Sequence, residues 1–362
     1  MIGPVRPDSD TQITVSYPPL PEGRYPVTLA PQGSALSRAE LVIVAPPELT
    51  YQAIDAPSPR ARILYDAERQ TIYGVNRLDQ QIERFVYGDG RWSTRPPWII
   101  PLLQDIALTP DGRSLIALDR HAINEISLTD GVSAPVQRAS SPAGAFCGNI
   151  FDQVAATDSG KIFVVYERDC DGDASFHLYD VLDHSVRAIG SRFWGYLAGS
   201  PDGSRIYFGD TYLSGGAPLM VFDSLSSTVL PSNLVITIYS PPALTVGGDA
   251  SRMIVQNRDV YDRSLGFTGK IPSTGIALAS RDSRRAFSYV LDDPAGAHLE
   301  IYDLTGALDA SGFYPRIRTV MLPDTANATG ETIYAPLAMT SSLDDAVVFI
   351  SGDSKLLVVP VN

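Results

Sequence analysis

The densest array of metal-binding side chains in this 362-residue chain is Asp169-Cys-Asp-Gly-Asp173. Alternation lets Asp169, Asp171 and Asp173 turn three carboxylates toward one Ca²⁺, a hard cation that takes about six to eight oxygens. The glutamate that completes an EF-hand loop is missing, because Ala174-Ser-Phe-His follows. The other reading of the loop is a solvated acidic turn. Nucleophilic chemistry is poorly supplied. There is no Gly-x-Ser-x-Gly elbow and no His-Glu-x-x-His. The four histidines, His121, His177, His184 and His298, have no companions at metal-ligand spacing. Trp194, Tyr196 and Tyr212 are the aromatic candidates: such rings stack on a sugar, grip a protein, or simply pack a core.

Charge narrows the partners. With 28 basic against 41 acidic residues the chain carries −13, so a phosphate backbone is repelled and nucleic acid is not expected. No apolar run reaches the length that crosses a bilayer. The first ten residues lack the basic and apolar regions of a secretory signal. Two readings follow: a cytosolic protein, or a processed or excised piece of a secreted one.

The elements that must position these residues are announced by one phrase. Ile106-Ala-Leu-Thr-Pro-Asp-Gly-Arg-Ser-Leu-Ile-Ala-Leu-Asp119 reads as strand, turn and strand. Pro110 presets φ, Asp111 hydrogen-bonds its own backbone, and Gly112 takes the positive φ that closes the hairpin. The phrase returns as Leu197-Ala-Gly-Ser-Pro-Asp-Gly-Ser-Arg-Ile-Tyr-Phe-Gly-Asp210, and in weaker forms elsewhere. Taking one turn acid per hairpin gives Asp66, Asp111, Asp158, Asp202, Asp249, Asp282 and Asp344. Most successive pairs lie about 45 residues apart, the period of a four-stranded propeller blade. Seven turns predict seven blades.

In architecture the repeat resembles the seven-bladed propellers of the YVTN/lactonase-like superfamily; the Gly-His and Trp-Asp signatures of WD40 blades are absent. We therefore expect an all-β fold, with a propeller over 49–362. Blade 7 lacks an outer strand, and a spare strand at 51–56 precedes the first inner strand at 61–65. Pairing of 51–56 with 356–361 is expected to close the ring and remove the free edges. Blade 5 reads as compact. The long last interval predicts an excursion on the rim or a face within 305–335.

The same resemblance implies that the connections between second and third strands, and those between blades, share the binding face. That face would carry Asp79, Asp119, His121, Asp169 to Asp173, Asp210, Tyr212, Asp259, Asp293 and Asp353, with Trp194 and Tyr196 nearer the axis. One reading is an acidic ring for a cation or a basic partner. The other is that aspartate is a favoured turn residue. Cys147 and Cys170 would fall on this face in blade 3, where a disulfide, implying an oxidising compartment, competes with two separate buried thiols.

Ahead of the propeller, Tyr17-Pro-Pro-Leu-Pro-Glu-Gly-Arg-Tyr-Pro-Val-Thr-Leu and Ala39-Glu-Leu-Val-Ile-Val-Ala-Pro-Pro47 resemble the C-terminal half of an IPT/TIG-type immunoglobulin-like domain. Strands are expected at 11–17, 24–30 and 39–45, within a module at 1–48. A sandwich needs about seven strands, so a partial module must be completed by something else: the rest of the fold, a missing preceding segment, or another molecule joined by β-augmentation. The functional expectation is a non-catalytic binding or structural module of an extracellular or cell-surface protein (a periplasmic setting also fits), with a protein partner or self-assembly through 1–48. A lactonase-like hydrolase and a glycan-binding propeller are the alternatives. The only cofactor expectation is calcium at Asp169, Asp171 and Asp173.

Overall fold

The computed structural model describes residues 23–29, 37–43, 51–129, 134–140, 149–168, 174–191, 195–210, 217–236, 244–291, 293–325, 338–342 and 345–361. Two compact units divide the chain, Met1–Leu49 and Thr50–Asn362. In the first, Gly23–Leu29 pairs antiparallel with Ser37–Ile43, with Gly23 opposite Ile43. The expected strand at 11–17 lies outside the described residues.

The second unit is a seven-bladed propeller, built from seven four-stranded antiparallel sheets with no helix among the described residues. The inner strands are Arg62–Asp66, Leu103–Leu108, Asn149–Ala156, Gly195–Gly199, Leu244–Val246, Ile276–Ala279 and Ala338–Ser341, for blades 1 to 7 in turn. Blade 7 receives its outer strand from Gln52–Asp55, which runs antiparallel to Lys355–Pro360 with Asp55 opposite Lys355. Alternating apolar residues on both sheet faces leave an apolar layer between each neighbouring pair of blades. The layer between blades 7 and 1 contains Ala56, Ile63, Ile72, Phe85, Phe349 and Leu356. It closes the ring.

The turns between first and second strands form by local chemistry. Thr109 donates to Asp111 at 2.7 Å, Asp111 accepts the Arg113 N–H at 3.0 Å, and Gly112 sits at φ 67°. Ser200 and Asp202 repeat the pattern in blade 4, with 2.6 Å and with Gly203 at φ 72°. Neighbouring turns then join. The N–H of Asp158 donates to Gly203 O, that of Asp202 to Gly248 O, and that of Gly248 to Arg281 O, at 3.1, 3.0 and 3.0 Å. Blade 6 joins blade 7 differently: the Arg281 and Asp282 N–H groups donate to the carboxylate of Asp345, each at 2.8 Å. The repeat pattern takes Asp344 as the turn acid of blade 7. Asp344 lies outside the described residues, and the carboxylate that reaches blade 6 belongs to its neighbour.

Three of the turns between third and fourth strands hold an acid ionised. The Ser264 hydroxyl draws Asp262 below the usual carboxylate range, the Thr305 hydroxyl does so for Asp303, and the Ser226 N–H for Asp223. A depressed folded pKa means that the native state binds protons less readily than the unfolded chain. The stabilisation is complete above the unfolded value, about 4, and is lost as pH falls through the lower folded values. Melting temperature is expected to drop steadily as pH falls from about 5 to about 3, and less steeply in an Asp262→Asn/Asp303→Asn variant. Thermal melts across that range check this; parallel slopes for the two proteins would contradict it.

Blade 5 has strands of only three or four residues. The extra chain of blade 6 runs along its outer edge. Residues 304–315 leave the third strand of blade 6, and Phe313 pairs parallel with Lys270. The N–H of Lys270 donates to Gly312 O at 3.0 Å, and that of Tyr314 to Lys270 O at 2.8 Å. An otherwise open edge is thereby covered.

Candidate functional site

The seven inner strands turn one edge each toward the axis, where they enclose a cavity of about 730 Å³. Free strand edges leave N–H and C=O groups that need partners. Side chains supply many of them from the next blade. Asp105 of blade 2 accepts the Val154 N–H of blade 3 at 2.9 Å, and Gln153 of blade 3 accepts the Leu197 N–H of blade 4 at 2.9 Å. In blade 5, Asn257 and Thr245 accept the Ala277 and Ala279 N–H groups of blade 6 at 3.1 and 3.3 Å. Arg62 spans three blades: it donates to Asp105 at 2.8 Å, to Ile106 O at 3.1 Å and to Val154 O at 2.9 Å.

Arg62 opens its inner strand and Asp105 is the third residue of its own, toward the end at which the blade-to-blade connections arrive, whereas Asp152 and Gln153 lie at the middle of Asn149–Ala156. Arg77, from the loop between second and third strands of blade 1, joins them. Its Nε donates to Gln104 O at 2.8 Å, and its Nη2 lies 3.6 Å from Asp152. Burial pushes the Asp105 carboxyl upward in pKa against the opposing pull of Arg62 and the Val154 N–H. The arrangement is two arginine–carboxylate pairs set into the wall. It neutralises charge and fixes blades, and it presents a polar rim above an aliphatic barrel lined by Leu64, Ala107, Leu197, Leu244 and Leu278.

Beside this rim the surface turns apolar. Leu78 is 74% exposed, Ile99 62% and Leu102 42%. They flank one short segment: Gln80 accepts the Leu102 N–H at 3.0 Å through its side chain and the Ile100 N–H at 3.0 Å through its carbonyl, and Gln81 pairs with Ile99.

The sequence-derived candidates spread around the same face on separate blades. Asp79 accepts hydrogen bonds from Asn76 at 2.8 Å and Ser58 at 3.0 Å. Asp119 accepts the N–H groups of His121 and Ala122, both at 2.7 Å, and the Asn124 amide at 2.8 Å. Asp293 accepts the Ala295 N–H at 2.7 Å. Asp259 and Asp353 are half-buried, and the His121 side chain is exposed. Asp210 ends the strand Arg205–Asp210 and Tyr196 lies in Gly195–Gly199; both are described by backbone alone. Trp194, Tyr212, Asp169, Asp171, Asp173, Cys147 and Cys170 lie outside the described residues, and with them the calcium and disulfide expectations. Among the described residues no three His, Cys, Asp or Glu side chains converge on one point.

Arg62, Asp105, Arg77 and Asp152 escaped the sequence reading. The signal present was a charged residue inside an otherwise apolar inner strand, as in Leu103-Gln-Asp-Ile-Ala-Leu108.

No protein-family model matches the chain, and no curated protein sequence matches it. Solved structures resemble it in shape. Hydrazine synthase from Kuenenia stuttgartiensis superposes with a TM-score of 0.58 at 13% identity, over 83% of this chain and 95% of that one. The Cps50 (Swd1) β-propeller domain from Myceliophteria thermophila gives a TM-score of 0.58 at 10% identity, over 86% of this chain and 100% of that one. At such identities the likeness shows the fold alone.

Proposed function

We propose that this chain is a non-catalytic interaction module of an extracellular or surface assembly, and that it docks a protein partner through the face bearing Arg77, Leu78, Ile99 and Leu102. The observation that carries the reading is the apolar cluster at that face beside a rim of already paired charges. Large exposed apolar side chains brought together on one surface mark contact sites, and interface centres combine apolar residues with arginine and few free acids. Arg62 and Arg77 are held by Asp105 and Asp152, so they offer position and hydrogen bonds rather than acid–base chemistry.

The test is affinity capture from the native source on immobilised protein, comparing wild type with a Leu78→Glu/Leu102→Glu variant. Both side chains are exposed, so melting temperature is expected to stay within about a degree or two of wild type. A partner retained by wild type is expected to be retained at least about tenfold less by the variant. Equal retention by both proteins overturns the reading.

A further inference from the structure

Where residues 304–315 leave blade 6 to lie along blade 5, a groove of about 470 Å³ opens on the rim. Pro272, Ala307, Phe313, Tyr314 and Pro315 wall it, and Glu300, Tyr302, Asp309 and Arg316 supply its polar atoms. The excursion is pinned: Asp309 accepts the Ser311 N–H at 2.8 Å and the Phe313 N–H at 2.9 Å, and the Tyr314 hydroxyl donates to Thr268 O at 3.2 Å. Blade 5 is short, so the outer parts of both blades stay uncovered beside the groove. Phe267, Leu308 and Ile317, close in the chain to residues that line or bond the groove, are all exposed.

The floor is a buried carboxylate. Glu300 is 6% exposed and accepts the Tyr302 hydroxyl at 2.6 Å. Arg316 donates to its other oxygen, and His298 Nε2 lies 3.7 Å from that same oxygen. Burial works against its ionisation, but hydrogen bonds from Tyr302, Arg316 and Ser273 and the Arg316 charge outweigh that and hold it below the usual range. The pair is lopsided: the carboxylate is enclosed, whereas the Arg316 side chain is half in water on an edge strand. The groove lining holds two acids against one guanidinium, on a chain of net charge −13.

We propose that this groove docks an extended peptide segment of a partner protein, with one arginine or lysine side chain seated on Glu300 and apolar neighbours lying on the exposed rim. Charge complementarity selects the cation: the net lining charge and the field of the whole chain both favour it and repel acidic segments. The apolar rim of Phe267, Leu308 and Ile317 extends past the groove, which a free ion or a single amino acid leaves uncovered and a peptide covers. Arg316 is then an internal competitor that occupies one side of the carboxylate the ligand needs. The site is separate from the face at Leu78 and Leu102 and stands independently of it.

The experiment is fluorescence anisotropy with labelled Gly-Pro-Leu-Arg-Leu-Pro-Gly and with two controls, in which glutamate or the neutral isostere citrulline replaces the arginine. The arginine peptide is expected to bind wild type, with both controls at least about tenfold weaker. Glu300→Gln is expected to lose at least about tenfold in affinity for the arginine peptide. Arg316→Ala is expected to bind it at least about threefold more tightly, because the competing guanidinium is gone. Leu78→Glu/Leu102→Glu is expected to bind it like wild type. Arg316 lies on an edge strand and half in solvent, so its removal keeps the test open even where Glu300→Gln proves poorly folded. Equal affinity for the arginine and citrulline peptides, weaker binding by Arg316→Ala, or no binding of the arginine peptide each overturns the proposal. An anionic or saccharide ligand predicts loss, not gain, on removing Arg316.

Discussion

Arg60→Met is expected to destabilise the propeller by about 3–5 kcal/mol, the cost of removing one partner from a buried ion pair. Arg60 is fully buried at the junction where blade 7 meets blade 1. Its Nε donates to Glu83 at 2.5 Å, and its Nη1 points at Ala56 O and Ser351 Oγ at 3.3 and 3.4 Å. The guanidinium also packs over the Phe85 ring, 5.5 Å from its centroid. Glu83 in turn accepts from Asn76 at 3.1 Å, so the network reaches into the first blade's loop. The closing strand Gln52–Asp55 buries little of its own, and only Ile54 among its side chains is even half-buried. Closure therefore leans on Arg60 and on the apolar layer of Ile63, Phe349 and Leu356.

Methionine fills much of the space but strands the Glu83 carboxylate. Urea unfolding of wild type, Arg60→Met and Arg60→Met/Glu83→Gln measures the coupling, and the double variant is expected to recover part of the loss. A single-variant cost below about 1 kcal/mol would mean that the apolar layer alone holds the seam. Gly74 gives an independent check. A Cβ there would stand 3.0 Å from Arg60 Cδ, so Gly74→Val is expected to displace the arginine and to mimic part of its loss.

Asp345→Ala is expected to cost a similar amount, about 3–4 kcal/mol, through orphaned donors rather than a lost charge pair. The Asp345 carboxylate is completely buried and accepts the Arg281 and Asp282 N–H groups and the Ser341 hydroxyl, the last at 2.7 Å. Alanine leaves all three without an acceptor where water has little access. Backbone shape adds to this, since residue 345 sits at φ 51°, a region that aspartate and asparagine tolerate better than alanine. Asp345→Asn keeps the shape and one acceptor oxygen, so it is expected to fall between wild type and alanine. Hydrogen exchange at the Arg281 and Asp282 amides reads the effect locally. Unchanged protection in the alanine variant would show that these amides do not depend on the carboxylate.

The two residues differ in what the sequence reveals of them. Asp345 belongs to a repeated turn, and its neighbourhood is visible as a serine or threonine followed by an acid and a positive-φ position. In Thr109, Asp111 and Gly112 every bond of that turn lies within five residues, so local composition carries it. Which acid of the Asp344–Asp345 pair crosses to the next blade is a matter of register, and register is set by the neighbouring blade. Arg60 carries no local sign at all. It reads as one more arginine in a proline-rich linker, and its meaning comes from Glu83, 23 residues on, and from Ser351, 291 residues away.

The candidate site divides in the same way. Loop aspartates such as Asp79 and Asp119 are legible as turn formers, because each bonds the backbone or a side chain a few residues away. The rim of Arg62, Asp105, Arg77 and Asp152 is assembled from three blades, and no spacing along the chain announces it. The excursion at 304–315 is visible as surplus length; its place on blade 5 follows from that blade's short strands, which leave an edge to be covered.

The sequence by itself therefore determined the architecture. Hairpin turns obey short-range stereochemistry, and repeating them at a blade's period leaves a ring as the way to bury the apolar faces between them. Only the tertiary structure decided which charges are enclosed, which are paired, and which apolar side chains are left in water. Those depend on groups brought together from distant blades, and a buried charge or an exposed leucine is defined by its neighbours rather than by its place in the chain.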